Sequence, residues 1–299
     1  MKFVSPAIFL VAKSVPQDDA IRDWLLHIGC DNDVAERFAT GGNKTNGERI
    51  IELAGRRCYL AFQPEKLNPN VTKIREDIAV YCENILKQKH GSVLTHVWFS
   101  FGMEGISRVM TAELNRHGVG SAISEGSMRY IAFNNIPFVE TPAMKLTDED
   151  LNDPDYVWYM KHATSDDNLA GHTDSIAVKK QLTRELFEWK MRMDEDFYVR
   201  FRSIWWKELQ PSSTFRDKKH LTSLGRRGIS MGVATGGMWS YNIRSLRHLI
   251  TMRSAESAEE EIAVVAVMML QKMMLEEPVL FGDFHQNEKG FWEPIYEKV

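Results

Sequence analysis

Apolar positions along the chain switch spacing several times, and each switch marks an expected element. Phe3, Val4, Ala7–Val11 form a short apolar opening interrupted by Pro6, which predicts a buried strand. Residues 18–40 carry helical spacing for one or two short helices, Gly41-Gly42-Asn43 is a turn, and helix resumes near Arg49–Ala54. Cys58–Phe62 fits a strand or a buried helix, Pro64 and Pro69 mark a loop, and Lys73–Lys87 is helical. Between Val93 and Phe101 the apolar spacing is irregular. In Met103–His117, Ile106, Val109, Met110, Leu114 and His117 fall near one face, Glu104 and Arg108 stand one turn apart, and Gly118 supplies a stop, which predicts a helix. A long helix is expected from Ile176 to Leu209, broken by Pro211. The glycine-rich stretch Gly225–Gly237 leads into Trp239–Leu249, read as helical from the stripe Ile243, Leu246, Leu249 and Ile250. The last strong element is Ala255–Met274, where Ser257 and Glu260 have capping-box spacing and the Val/Met run behind them suits core or a subunit interface.

Composition changes this picture little. With 299 residues the chain can bury a sizeable core, and 43% hydrophobic with 26% charged residues is ordinary for a globular protein. The net charge of −4 gives no basic excess, so nucleic acid is not an expected partner. No apolar run reaches the length of about 18 residues that spans a bilayer, and no cleavage site follows the opening, so neither a membrane nor a secretory leader is expected. The three cysteines, Cys30, Cys58 and Cys82, lack metal-ligand spacing and are odd in number; a cytoplasmic protein without metal or disulfide is expected. Asp148, Glu149, Asp150, Asp153, Asp155, Asp166 and Asp167 crowd residues 141–175, which reads as a solvated acidic insertion in a single domain spanning 1–299.

Three clusters can carry chemistry. Arg116–Tyr130 runs from a helix end into a loop rich in glycine and serine that holds two arginines and Glu125; backbone N–H groups, hydroxyls and guanidinium forks together grip phosphate. A plain turn with surface charges explains the same composition. Arg226-Arg227 is either a second anion contact or an exposed pair. Arg244, Arg247 and His248 share a polar helix face near Asn242 and Arg253, which is either a ligand face or a wet face opposite the core stripe. His96 reads as a buried, satisfied histidine ahead of a base. These clusters suggest an anionic ligand held by separated arginines without identifying it.

In order and content the clusters resemble the flavin-dependent thymidylate synthase (ThyX) family over roughly residues 50–129 and 226–284. The central motif, Arg-His-Arg, a spacer and Ser-x-(Asn/Ser)-(Glu/Gln)-x-Ser-x-Arg-Tyr, is matched by Arg116-His117 and Ser124-Glu125-Gly126-Ser127-Met128-Arg129-Tyr130. Leu94-Thr95-His96 to Phe99-Ser100-Phe101 is similar to the family's Leu-Glu-His…Phe-Thr-Phe, and Asn242-Ile243-Arg244-Ser245-Leu246 with His248, Leu249 and Arg253 is similar to its Asn-x-Arg-Ser-Leu…His-Phe-Leu…Arg helix. The chain departs at Gly118 (Arg in the motif), at Thr95 (Glu), at Ala258–Ala263 and in a longer 131–225 segment.

The resemblance implies an α+β fold with helices packed on a mostly antiparallel sheet, assembled as a homotetramer with shared sites. It implies reductive methylation of dUMP to dTMP, with methylenetetrahydrofolate as carbon donor and FAD, reduced by NADPH, as hydride donor. Ser100, Arg116, His117, the Gly118 position, Glu125, Asn242, Arg244 and His248 would contact FAD. Glu113 (usually Gln), Arg116, Glu125, Gly126, Ser127, Met128 through its backbone, Arg129, Arg226 and Arg253 would hold the nucleotide, with Arg253 stabilising charge on the uracil ring. Glu113 would face the sugar or base, or pair with Arg116. A family member acting on another pyrimidine nucleotide, and a non-catalytic flavin- or nucleotide-binding relative, are the alternatives.

Overall fold

A computed structural model describes residues 2–128, 137–162, 174–297 and 299. The elements follow as β1 (Phe3–Val4), β2 (Ala7–Lys13), α1 (Asp18–His27), α2 (Asn32–Thr40), α3 (Asn46–Tyr59), α4 (Ile78–Lys87), α5 (Gly91–Leu94), β3 (Trp98–Ser107), α6 (Arg108–Leu114), β4 (Ser121–Glu125) and β5 (Phe138–Val139). Then come α7 (Asp148–Leu151), α8 (Pro154–His162), α9 (Ile176–Ile204), α10 (Phe215–Gly225), β6 (Ala234–Asn242), α11 (Ile243–Arg253), α12 (Glu260–Glu276), α13 (Pro278–Phe281), β7 (Phe284–Gln286) and β8 (Trp292–Pro294). The expected combination of helices with a mainly antiparallel sheet is present. The largest sheet has the order β2-β3-β6-β4. Two compact units divide the chain: Met1–Ala7, Met103–Ala112 and Glu125–Gly237 make one, and Ile8–Gly102, Glu113–Ser124 and Met238–Val299 the other.

In the first unit, β1 pairs in parallel with β5, Phe3 beside Phe138. Phe138, Met191 of α9 and Val233 bury together, with Phe3, Met128 and Ile229 packed against them. Gly105 has φ +67, and a Cβ there would lie 2.5 Å from the Ser5 carbonyl, so only glycine suits this crossing. The acidic stretch is partly built structure. Thr147 and Asp150 form a reciprocal cap on α7, Asp150 accepts from Lys180 at 2.6 Å, and Asp153 accepts from the Tyr156 N–H. Asp166 and Asp167 lie outside the described residues.

In the second unit, α1, α2 and α3 bury Leu25, Ala35, Phe38 and Leu53 around Phe62, whose ring meets Phe38 edge-on at 5.4 Å. The β3 residues Phe99 and Phe101 and the β6 residues Trp239 and Tyr241 are buried, as are Leu246, Leu249 and Ile250 of α11 and Val265, Met269 and Met273 of α12.

Several boundaries differ from the sequence expectation, each for a local reason. Met103–Ser107 continues β3, because Phe99, Phe101 and Met103 are buried alternately at period two; the helix is confined to α6. Trp239–Asn242 is likewise strand, with Trp239 and Tyr241 buried, and α11 begins only where the Asn242 side chain caps the Ser245 N–H at 2.9 Å. Helix α4 starts at Ile78, capped by Asp77, leaving Lys73–Asp77 outside it. Glu259, not Ser257, caps α12, accepting from the Glu261 and Ile262 N–H groups. The opening strand splits at Pro6, and β2 is an edge strand with Phe9 56% and Val11 54% exposed, not the buried strand expected.

Candidate functional site

Two loops and one helix build a cavity of about 660 Å³ in the second unit. The α11 helix supplies Arg244, His248 and, at its N-cap, Asn242; the segment after α6 supplies Arg116, His117 and the backbone around Gly118. These are six of the residues expected at the flavin, brought together from positions more than 120 apart in the chain. The approach is fixed by Gly120 at φ +67, where a Cβ would run into Ser245 Oγ and the Asn242 amide. Ser245 Oγ also donates to the Val119 carbonyl at 2.7 Å, and the Asn242 N–H to the Gly120 carbonyl at 3.1 Å, so loop and helix start form one framework.

Arg244, Arg116 and His248 are exposed in this cavity. Arg244 Nε donates to the Val299 carbonyl at 2.9 Å. Lys89, at φ +58, and Thr95 also line the cavity. Ser100 is placed differently from the other flavin candidates. It is not among the lining residues and shares a 2.7 Å hydroxyl contact with Ser240 across β3 and β6.

Beside the cavity wall, Arg253 at the end of α11 is held on two sides. Its Nε donates to His117 Nε2 at 2.9 Å and its Nη1 to Glu113 at 2.7 Å. The His117 bond requires a neutral ring with Nε2 as acceptor. Burial, then the charges of Arg253 and His248, hold the His117 pKa below the ordinary histidine value, which agrees with that assignment. The His117 and His248 rings meet edge to face at 6.2 Å. Glu113 is therefore a partner of Arg253, not of Arg116.

Arg247 does not share the polar face with Arg244 and His248. It is 3% exposed and binds Asp283 through two bonds of 2.6 and 2.8 Å, the Leu280 carbonyl, and the Tyr296 carbonyl. It anchors α11 to the C-terminal segment. His96 is exposed, not buried.

In the first unit, Arg108 pairs with Glu125 at 2.5 Å and donates to the Gly126 carbonyl, so its expected partner Glu104 is replaced. Because Glu104 lies in β3, four residues do not bring it and Arg108 together as one helical turn would. The Gly126 N–H donates to the Gly236 carbonyl at 2.8 Å, fixing the backbone that leads to Ser127 and Met128. Arg226 is exposed in a short 3-10 turn, Arg226–Gly228, after α10. Arg129 lies outside the described residues.

Sequence reading missed Lys89, Ser245 and the His117–Arg253–Glu113 contact. Ser245 had a signal, three residues after the capping Asn242; Lys89, in a left-handed turn, had none. Among the described residues no group of three or more His, Cys, Asp or Glu is arranged for a metal, and no helix is long and apolar enough to cross a membrane.

These features define an α+β protein with a cation-lined cavity. Within that class, the family described as thymidylate synthase complementing protein matches residues 42–279, and the chain belongs to it. The flavin-dependent thymidylate synthase of Mycolicibacterium gilvum (strain PYR-GCK) is 29% identical over 238 residues, 80% of each chain. That of Corynebacterium glutamicum is 29% identical over 237 residues, 79% of each. The crystal structure of a UMP/dUMP methylase PolB from Streptomyces cacaoi bound with 5-Br UMP shares the fold, with a TM-score of 0.55, 14% identity and 94% of both chains covered.

Proposed function

We propose that the chain methylates dUMP to dTMP reductively, taking the carbon from methylenetetrahydrofolate and the hydride from FAD reduced by NADPH. The observation that carries this reading is the cavity in which Arg116, His117, Asn242, Arg244 and His248 converge, with Arg253 braced beside it. Its donor set fits a flavin dinucleotide: exposed cations suit a pyrophosphate, and the volume lies in the usual range of roughly 300–1,000 Å³ for cofactor sites. FAD, when bound, supplies the hydride.

The chain's own residues do the rest. Arg116, Arg244 and His248 hold the anionic part of the cofactor, Gly118 leaves room beside it, and Ser100 and Glu125 complete the proposed contacts. Glu125, Gly126, Ser127, Met128, Arg129, Arg226, Glu113 and Arg116 hold the nucleotide in this reading. Arg253 keeps its Nη2 edge for the substrate, since Glu113 and neutral His117 engage Nη1 and Nε, and its charge offsets the negative charge that develops on the uracil ring. The assignment extends to one catalytic domain with an acidic insertion, a homotetramer and a reducing cytoplasmic setting.

Incubation with dUMP, methylenetetrahydrofolate, NADPH and FAD should yield dTMP. Turnover of another pyrimidine nucleotide in its place would favour the divergent reading, which Gly118, Thr95 and the long 131–225 segment support by departing from the family pattern. A yellow protein that never oxidises NADPH with any nucleotide would favour a non-catalytic binder.

A further inference from the structure

A second cavity, of about 440 Å³, lies in the same unit and shares no lining residue with the first. It is framed by the end of α3, the 71–75 segment, α4 and the residues around α5. Its chemistry is one-sided. Lys73, Arg75, Arg56 and His90 line it, and no carboxylate does. Arg56 is already compensated by Glu52, through bonds of 2.9 and 2.7 Å. The exposed side chains of Lys73 and Arg75 have no hydrogen-bond or ion-pair partner among the described residues. In a chain of net charge −4 this is a local concentration of uncompensated cations.

The rest of the lining is flat or apolar. Tyr59 is 58% exposed, and the Tyr81 ring lies under the Arg56 guanidinium at 4.9 Å. Gly55 makes room for that ring, since a Cβ there would meet the Tyr81 hydroxyl. Val71, Ile74 and Val93 supply aliphatic surface, and the Asn84 amide gives a polar handle.

We propose that this cleft binds a small anion carrying a flat heteroaromatic ring, with Lys73 and Arg75 holding the anionic group and Tyr59, Tyr81 and the aliphatic wall holding the ring. A nucleoside triphosphate and a reduced folate both have this chemistry. The site is separate from the cavity assigned to the methylation reaction, so it stands or falls independently of that assignment.

Cys58 provides the test. It lines the cleft and is exposed, whereas Cys30 and Cys82 are buried. Iodoacetamide is uncharged and should alkylate Cys58 selectively in the native protein, read by mass spectrometry of its peptide. ATP or 5-formyltetrahydrofolate at about ten times its Kd should slow that labelling on the order of tenfold, and which of the two does so identifies the source. Inorganic phosphate, lacking the ring, should not. In K73E/R75E the protection should disappear while the circular dichroism spectrum and NADPH oxidation stay unchanged, and K73R should keep it. The proposal is overturned if neither ringed anion protects Cys58, if phosphate protects equally, or if protection survives K73E/R75E.

Discussion

Arg253 has three donor edges, and two are already engaged. Glu113 opposes its charge at 2.7 Å from a site where both side chains are about a fifth to a quarter exposed, 19% and 27%. At that exposure the carboxylate offsets the cation by an amount on the order of 1 kcal/mol. Glu113→Gln keeps an acceptor for Nη1 and removes the opposing charge, so KM for the nucleotide should fall about fivefold with kcat little changed. Glu113→Ala removes the acceptor as well; Arg253 is then fixed by His117 alone, and kcat should drop about tenfold or more. Steady-state kinetics on the two variants separate charge from positioning. A kcat for Glu113→Ala equal to that of Glu113→Gln would sink the positioning role.

His117 ties pH to the same arginine. A protonated ring cannot accept from Arg253 Nε, so the arrangement exists only above the His117 pKa, which burial holds below the usual histidine value. The acid limb of kcat/KM should therefore fall at lower pH than an unperturbed histidine would give, and be missing in His117→Gln. Gly118 is the other telling residue. A Cβ there meets nothing within 4 Å, and the residue lines the first cavity. The space exists for the cation that the family motif carries and this chain lacks. Gly118→Arg should tighten FAD binding roughly tenfold, the worth of one charge-assisted hydrogen bond, measured by flavin fluorescence quenching; unchanged affinity would show that the gap is compensated elsewhere.

At the scale of elements, the N-terminus of α3 joins the end of α12 through one buried carboxyl. Glu277 accepts from the Thr45 hydroxyl and from the Gly47 N–H at 3.0 Å, yet burial outweighs these bonds and lifts its pKa to about 7. Its unfolded value is near the ordinary 4.5, so the folded state binds the proton more tightly. The corresponding stabilisation is complete below about pH 4.5 and is lost as pH rises through about 7. The shift amounts to about 3 kcal/mol. Glu277→Gln should match the native protein in acid and exceed its stability progressively from about pH 5 to pH 8, as urea midpoints would show; a pH-independent difference would refute the assignment.

What the sequence disclosed follows the same division by element. Helix α11 and its polar residues were legible because Ile243, Leu246, Leu249 and Ile250 repeat at helical spacing over a long enough run. The spacing could not show that Arg247 turns inward, since its partners Asp283 and Leu280 come from a different segment. Strand Met103–Ser107 was misread because the period-two burial of Phe99, Phe101 and Met103 gives way at Gly105 to buried Ile106 and Ser107, whose spacing merges with the helix that follows without a break. Of the candidate site, the cations of the first cavity were legible from motif order. Ser245 carried a weaker signal, its spacing from the capping Asn242, while Lys89 depends on folded geometry alone.

For the whole molecule, the decisive contrast is between a small net negative charge of −4 and two cavities lined by cationic side chains. A net charge of −4 repels anionic ligands weakly at long range, while Arg116, Arg244 and His248 attract them once they enter the first cavity. Salt acts on both fields but not equally. A Debye length of about 10 Å at 0.1 M shrinks to about 3 Å at 1 M, so exposed guanidinium groups lose their reach while bonds made inside the cavity are screened less. Arg253, already opposed by Glu113, contributes little to the long-range field. FAD affinity should accordingly weaken with ionic strength, by on the order of tenfold between about 0.02 M and 0.5 M salt, mainly through slower association. Stopped-flow measurement of flavin binding tests this directly. An association rate indifferent to salt would mean that the cations lining the cavity are neutralised before the cofactor arrives, and would remove the electrostatic ground for placing FAD there.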